Sequence, residues 1–296
     1  MKLGLKIDVD TFRGTREGVP RLVELLKKHR AGATFLFSLG PDHTGRALRR
    51  VFRPGFFSKV SRTSVLEHYG VRTLLYGTLL PGPDIGRKCA GIMRSTRDDG
   101  FEVGIHCWDH VRWQDFVAGK EGEWTEREMV LACTRFSEVF GEPPRTWGAA
   151  GWQTNAHAAR FQETFAYASD TRGRQPFLPA WNGELVGCPQ IPTTLPTLDE
   201  LIGLHGDVVQ HLLSLTAPRK NAGDHVFTAH AELEGGKLQP MFERLLEGWQ
   251  AQGYELVPTE AIFRALPPNL PVCEVIYGEM PGRSGTLALQ GKEVKL

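Results

Sequence analysis

Short apolar, β-branched-rich runs alternate along this chain with stretches whose apolar residues recur every three or four positions. The runs at residues 3–9, 33–38, 101–105, 145–149, 165–169, 185–191, 225–229 and 254–257 predict strands. Between them, residues 17–29 (Val19, Leu22, Val23, Leu25 and Leu26 on one stripe), 126–140, 156–163, 198–215, 239–252 and 259–266 predict helices. Strand–helix alternation predicts a parallel sheet, and this many repeats favours a barrel. The expectation is one α/β domain over residues 1–266. Two stretches break the rhythm. An insert at about residues 43–80 carries a strongly basic segment, and from residue 267 to 296 the chain is Pro/Gly-punctuated and weakly periodic. The latter reads as a tail packed on the body or partly disordered.

Composition narrows the setting. A chain of 296 residues can form one large domain or two small ones. Its net charge of +1 gives no global case for nucleic acid, and no such partner is expected. The five cysteines (Cys89, Cys107, Cys133, Cys188, Cys273) are odd in number and form no Cys-x-x-Cys, which reads as reduced thiols. No run approaches the roughly 18 apolar residues of a membrane span. Candidate chemistry begins at Asp8, leaving no room for a cleaved leader, so the expected location is the cytosolic side.

That chemistry lies in three places. Asp8 and Asp10 alternate on one predicted strand and so point the same way. His106 and His110 stand four apart in Gly-Ile-His-Cys-Trp-Asp-His, so on a helical turn both imidazoles would leave one face, within reach of one first-row metal ion. A late His230 follows another predicted strand. An open catalytic metal takes a third ligand and keeps a position for water, so one aspartate can complete the site and leave the other as a base. Asp8, His106 and His230 all fall at carboxyl ends of predicted strands, the catalytic rim of α/β barrels. Asp109 is a candidate to orient a ligand imidazole, and Trp152, Trp108 and Trp113 read first as packing residues.

The ordered set of an aspartate pair, His-x-x-x-His, a mid-chain Gly/aromatic loop and a late strand ending in His resembles the polysaccharide deacetylase (NodB-homology) family. The strings Lys6-Ile-Asp-Val-Asp-Thr11, Gly104-Ile-His-Cys-Trp-Asp-His-Val-Arg-Trp113, Trp147-Gly-Ala-Ala-Gly-Trp-Gln-Thr154 and Phe227-Thr-Ala-His-Ala-Glu232 are similar to its deformylase branch. That branch acts on undecaprenyl-phosphate-linked 4-deoxy-4-formamido-L-arabinose, in modifying lipid A with aminoarabinose (lipopolysaccharide biosynthesis, polymyxin resistance). The resemblance implies a distorted (β/α) barrel with an inserted membrane-facing segment. It also implies metal-dependent hydrolysis of a formamide with one divalent ion (Zn, Mn, Co or Ni). By position, Asp8 matches the base, Asp10, His106 and His110 the metal ligands, and His230 the general acid. Trp152, Gly151 and Glu232 fall where substrate would lie. One departure stands out. Many members place an arginine in the mid-chain loop to hold the base, whereas here the loop reads Gly148-Ala-Ala-Gly-Trp152, with Arg145 three residues early.

Three rivals carry their own discriminators. Deacetylation of an N-acetyl amino-sugar polymer would place the substrate outside the cytosol. A catalytically silent, membrane-binding member would follow from the missing loop arginine. A glycosyltransferase using the aspartate pair would bind nucleotide. The substrate partner is expected at a membrane surface. Leu48, Val51, Phe52 and Phe56 recur at helical spacing with Arg46, Arg49, Arg50 and Arg53 largely off that stripe, and Phe57 follows. Such a basic amphipathic segment would hold the enzyme peripherally on the cytosolic face of a bacterial inner membrane.

Overall fold

The computed structural model describes residues 1–47, 70–217 and 223–294. At its centre is β1 (Lys2–Val9), buried from Leu3 to Val9, as expected of a strand covered on both faces. Alternation divides its side chains. Leu3, Leu5, Ile7 and Val9 join the main core with the helices, while Gly4, Lys6 and Asp8 face the opposite way. Parallel partners flank it: β2 (Thr34–Ser38) on one edge and β8 (His225–His230) on the other. Beyond β2 lie β3 (Glu102–Cys107), β4 (Thr146–Trp147) and β5 (Tyr167–Ala168), giving the order β5-β4-β3-β2-β1-β8. The short β9 (Glu255–Val257) pairs with Lys2–Gly4, on the edge that β2 occupies further along.

Helices cover the outside: α1 (Val19–Lys28), α2 (Ala90–Asp98), α3 (His110–Phe116), α4 (Gly122–Phe140), α5 (Ala156–Phe161), α6 (Val208–Leu215), α7 (Gln239–Ala251) and α8 (Thr259–Phe263). Their apolar stripes explain the packing. Val19, Leu22, Val23, Leu25 and Leu26 of α1, and Phe242, Leu245, Leu246 and Trp249 of α7, are all buried. The sheet does not close through a regular strand. Residues 189–195 bridge β5 and β8 instead, with Ile191 N donating to Ala168 O and Thr194 N to Val226 O. Pro189, Pro192 and Pro196 punctuate this stave, and a residue without an N–H cannot continue a ladder. This distorted, incomplete barrel is the expected fold class.

Three local expectations are corrected. The strand expected at 185–191 is reduced to β7 (Glu184–Leu185), for the same reason of prolines. The helix expected over 198–215 breaks: Ile202 leaves helical backbone at ψ 127°, and Gly203 turns to φ 79° before α6 begins. The third strand runs two residues further than 105, so His106 belongs to β3 and His110 opens α3. The histidine pair therefore sits on a strand-to-helix turn and not on one helix. The C-terminal residues form a hairpin of β10 (Val272–Glu279) and β11 (Thr286–Glu293), which joins β6 (Leu178–Trp181) and β7 in a second sheet. Arg172 pins it to the body through backbone bonds to Ala288 and Gln290. All five cysteines are free thiols, in keeping with the expectation.

Candidate active site

Three strand ends bring the expected residues together. In register, Asp8 of β1 lies beside Leu36 of β2 and His230 of β8, while His106 and Cys107 end β3. Asp109 caps α3 by accepting from Arg112 N at 3.1 Å, which swings His110 back toward the end of β3. As a result Asp10 Oδ1 lies 3.3 Å from His106 Nε2 and 3.4 Å from His110 Nε2. One ligand atom from each of the three residues lies within 4.8 Å of the others.

The electrostatics suit a cation. His106 Nδ1 lies 2.6 Å from Gly148 O, and a proton donated there leaves Nε2 with its lone pair toward Asp10. Asp10 Oδ1 is buried and has no hydrogen-bond partner among the described residues. Possible ligand atoms of three side chains thus face a common point, as a single divalent ion requires. Burial opposes charge on Asp10, but His110, His106 and His230 outweigh it and hold the carboxyl far below its ordinary range. Burial likewise opposes charge on His106, and Asp8 and Asp10 outweigh it in turn, raising the imidazole. The donor set of two nitrogens and one carboxylate fits a divalent first-row metal.

Asp8 stands beside this cluster. Its Oδ1 is 3.7 Å from His106 Nδ1, and its Oδ2 is 3.4 Å from the ammonium of Lys6. His230 is half-buried at the end of β8, with its Nδ1 lacking a partner among the described residues. Its ring meets Trp152 edge-on at 6.5 Å.

The residues expected to contact substrate have other surroundings. Trp152 is 1% exposed, donates Nε1–H to Thr193 Oγ1 at 3.3 Å, and has the guanidinium groups of Arg172 and Arg283 over its ring at 4.9 and 4.6 Å. A ring so enclosed cannot stack on a sugar, so its place is to position neighbours. Gly151 has φ 62°, and a Cβ there would come within 2.5 Å of the Gln114 amide, so the turn requires glycine. Glu232 is 6% exposed, and its Oε1 accepts from Asp10 N, Thr11 N and Thr11 Oγ1 at 3.1, 2.8 and 2.7 Å. It braces the chain as it leaves β1. Asp109 does not orient a ligand imidazole: its second oxygen lies 2.6 Å from His43 Nδ1. Arg145 is mostly exposed and pairs with Glu260 at 3.3 Å, away from Asp8. Phe52, Phe56, Phe57, Arg49, Arg50 and Arg53 lie outside the described residues.

Sequence reasoning missed three groups. Lys6 is a fully buried cation on the strand face that carries Asp8; its signal was the lysine inside an apolar strand. Glu234 accepts from His230 N at 2.7 Å, and burial pushes its carboxyl up to about 8. Arg283, from the C-terminal hairpin, and Arg172 share Glu200 Oε1 at 2.7 and 2.6 Å. Burial alone would raise Glu200, but the two arginines hold it low.

No family model matches the chain. It is 38% identical over 299 residues to a protein of Shewanella sediminis (strain HAW-EB3) named as the 4-deoxy-4-formamido-L-arabinose-phosphoundecaprenol deformylase ArnD, covering 99% of this chain and 96% of that one. A protein of the same name from Wigglesworthia glossinidia brevipalpis is 32% identical, covering 95% and 100%. Among solved structures, a protein named as a polysaccharide deacetylase from Pseudomonas aeruginosa PAO1 superposes with a TM-score of 0.59 at 15% identity, over 89% of each chain. Another so named, from Mycobacterium smegmatis, gives 0.57 at 16% identity, also over 89% of each.

Proposed function

The chain belongs to the family of 4-deoxy-4-formamido-L-arabinose-phosphoundecaprenol deformylases, and from that premise we propose that it hydrolyses the formamide of an undecaprenyl-phosphate-linked 4-deoxy-4-formamido-L-arabinose. The products are formate and the free amino sugar used to modify lipid A. The observation that carries this reading is the convergence of Asp10, His106 and His110 within 4.8 Å, with Asp8 and His230 beside them on one rim.

Asp10 Oδ1 and the Nε2 atoms of His106 and His110 would hold one divalent ion (Zn, Mn, Co or Ni). Such an ion acidifies water and polarises the formyl oxygen. Asp8 takes the proton of the attacking water as its oxygen bonds to the formyl carbon. In the loop, Gly148, Ala149 and Trp152 use their N–H groups on Ile105 O, Asp170 Oδ1 and Ala149 O. We assign the developing oxyanion to the other two N–H groups of this loop, those of Ala150 and Gly151. An amine leaves poorly unless protonated, so His230 supplies a proton to the nitrogen as the C–N bond breaks. Glu234, on the His230 amide, and Trp152, against its ring, support that histidine.

A polyprenyl-linked sugar stays in the bilayer, so the rim must work at a membrane surface. Among the described residues no helix is long and apolar enough to cross a membrane. Val71, Leu79 and Leu80 are exposed large apolar residues on the flank of the insert. The two flanks of the insert meet where Gly45 N bonds Tyr76 O and Arg46 Nε bonds Gly77 O. This supports peripheral attachment through residues 46–62. The function is tested by offering the purified protein formylated and acetylated amino-sugar lipids with each metal and measuring formate and acetate. Formate from the formylated lipid is expected; release of acetate alone, or of neither, rejects the reading.

A further inference from the structure

We propose that Lys6 is the positioning residue for Asp8, supplying from within the same strand the cation that fixes the base. The proposal rests on the reading of Asp8 as base. Lys6 has no exposed surface, and a buried ammonium is costly unless every donor is met. Here its Nζ lies 3.4 Å from Asp8 Oδ2, donates to Ser169 O at 3.1 Å, and stands 5.3 Å from the centre of the Trp152 ring. Among the described residues it is the only lysine or arginine within 4.0 Å of the Asp8 carboxylate. With Oδ2 turned to Lys6, Oδ1 has no hydrogen-bond partner among the described residues and lies 3.7 Å from His106 Nδ1. One oxygen is thus anchored, and the other is free to receive a proton.

The loop opposite is shaped for this arrangement. A Cβ on Gly148 would come within 2.3 Å of Leu36 Cδ1 and 3.0 Å of Lys6 Cε. A side chain at this position would have to displace Leu36 and the lysine stem, which fill the space beside the loop. Ser169 and Trp152 fix the ammonium from two further sides, so it cannot swing away from the carboxylate. A rigid cation so placed favours a single rotamer of Asp8, which a general base needs for a proton transfer over hydrogen-bond distance.

The test compares Lys6→Met, Lys6→Arg, Asp8→Asn and the double variant Lys6→Met/Asp8→Asn for kcat, KM and bound metal. Lys6→Met is expected to lose about 10²-fold in kcat with KM and metal content within about threefold of wild type. Lys6→Arg, which keeps the cation, should retain at least about tenfold more turnover than Lys6→Met. The double variant should match Asp8→Asn within about threefold, because a residue acting only through Asp8 has nothing left to lose. Should Lys6→Met fail to fold, the double variant, in which both charges are gone, still gives that comparison. Lys6→Met turning over within about threefold of wild type overturns the proposal. So does a double variant about tenfold below Asp8→Asn, or an arginine no better than methionine. An inactive wild type, or an Asp8→Asn variant of full activity, would instead overturn the function or the base assignment.

Discussion

Replacing Glu234 by glutamine should make the protein more stable at alkaline pH and leave it nearly unchanged in mild acid. Glu234 has no exposed surface; one oxygen accepts from His230 N and the other has no partner among the described residues. Burial is the largest cause of its raised pKa of about 8, against an ordinary value of 4.5, with Asp199 and Asp10 pushing the same way. The folded state therefore keeps a proton that the unfolded chain has already released. Stability contributed by that proton is complete below about pH 4.5 and is lost progressively as pH rises to about 8. At about 1.4 kcal/mol per pH unit, the interval is worth at most about 5 kcal/mol, and relaxation around a buried charge lowers the realised value to about 2–4. Glutamine keeps the shape and the neutral state of the protonated acid at every pH. Urea unfolding of both proteins, stripped of metal by chelator, at pH values from about 5 to 8 reads the difference directly. It should grow with pH to about 2–4 kcal/mol. A difference constant within about 0.5 kcal/mol across that range would refute a neutral, buried Glu234.

Alanine at Asp10, His106 or His110 should abolish metal binding measured by elemental analysis, whereas Asp8→Asn should keep the metal and lose turnover about 10²–10⁴-fold. Loss of metal in Asp8→Asn with retention in Asp10→Ala would exchange the two roles. His230→Ala should fold and bind metal but lose about 10²–10⁴-fold in kcat, and less on an analogue with a better leaving group. Equal losses on both substrates would point to substrate binding instead of proton donation. The protein should float with anionic liposomes at low salt and release at high salt, and changing Arg49, Arg50 and Arg53 to Glu with Phe56 and Phe57 to Ser should abolish flotation. Undiminished binding by that variant would place the anchor elsewhere.

The elements that sequence alone determined are those whose signal is local. The apolar run of β1 and the stripes of α1 and α7 are visible because one buried face repeats at the period of the element itself. The five candidate site residues that the structure brings together were legible for a related reason. Strand ends collect on one rim of a parallel sheet, so Asp8, His106 and His230 could be placed before any distance was known. Tertiary structure decided what depends on partners remote in sequence. The closing stave at 189–195 has no strand period because its prolines break the ladder, and only its neighbours β5 and β8 give it a place. The C-terminal hairpin pairs with β6 across some ninety residues and delivers Arg283 to Trp152, a meeting no periodicity encodes. Trp152 could be read as a sugar platform until its burial removed the open face. Lys6 was visible in the strand all along, but an isolated lysine has no pattern. Its role emerged only when the fold removed it from water, met its donors with Ser169 and Trp152, and turned its charge onto Asp8.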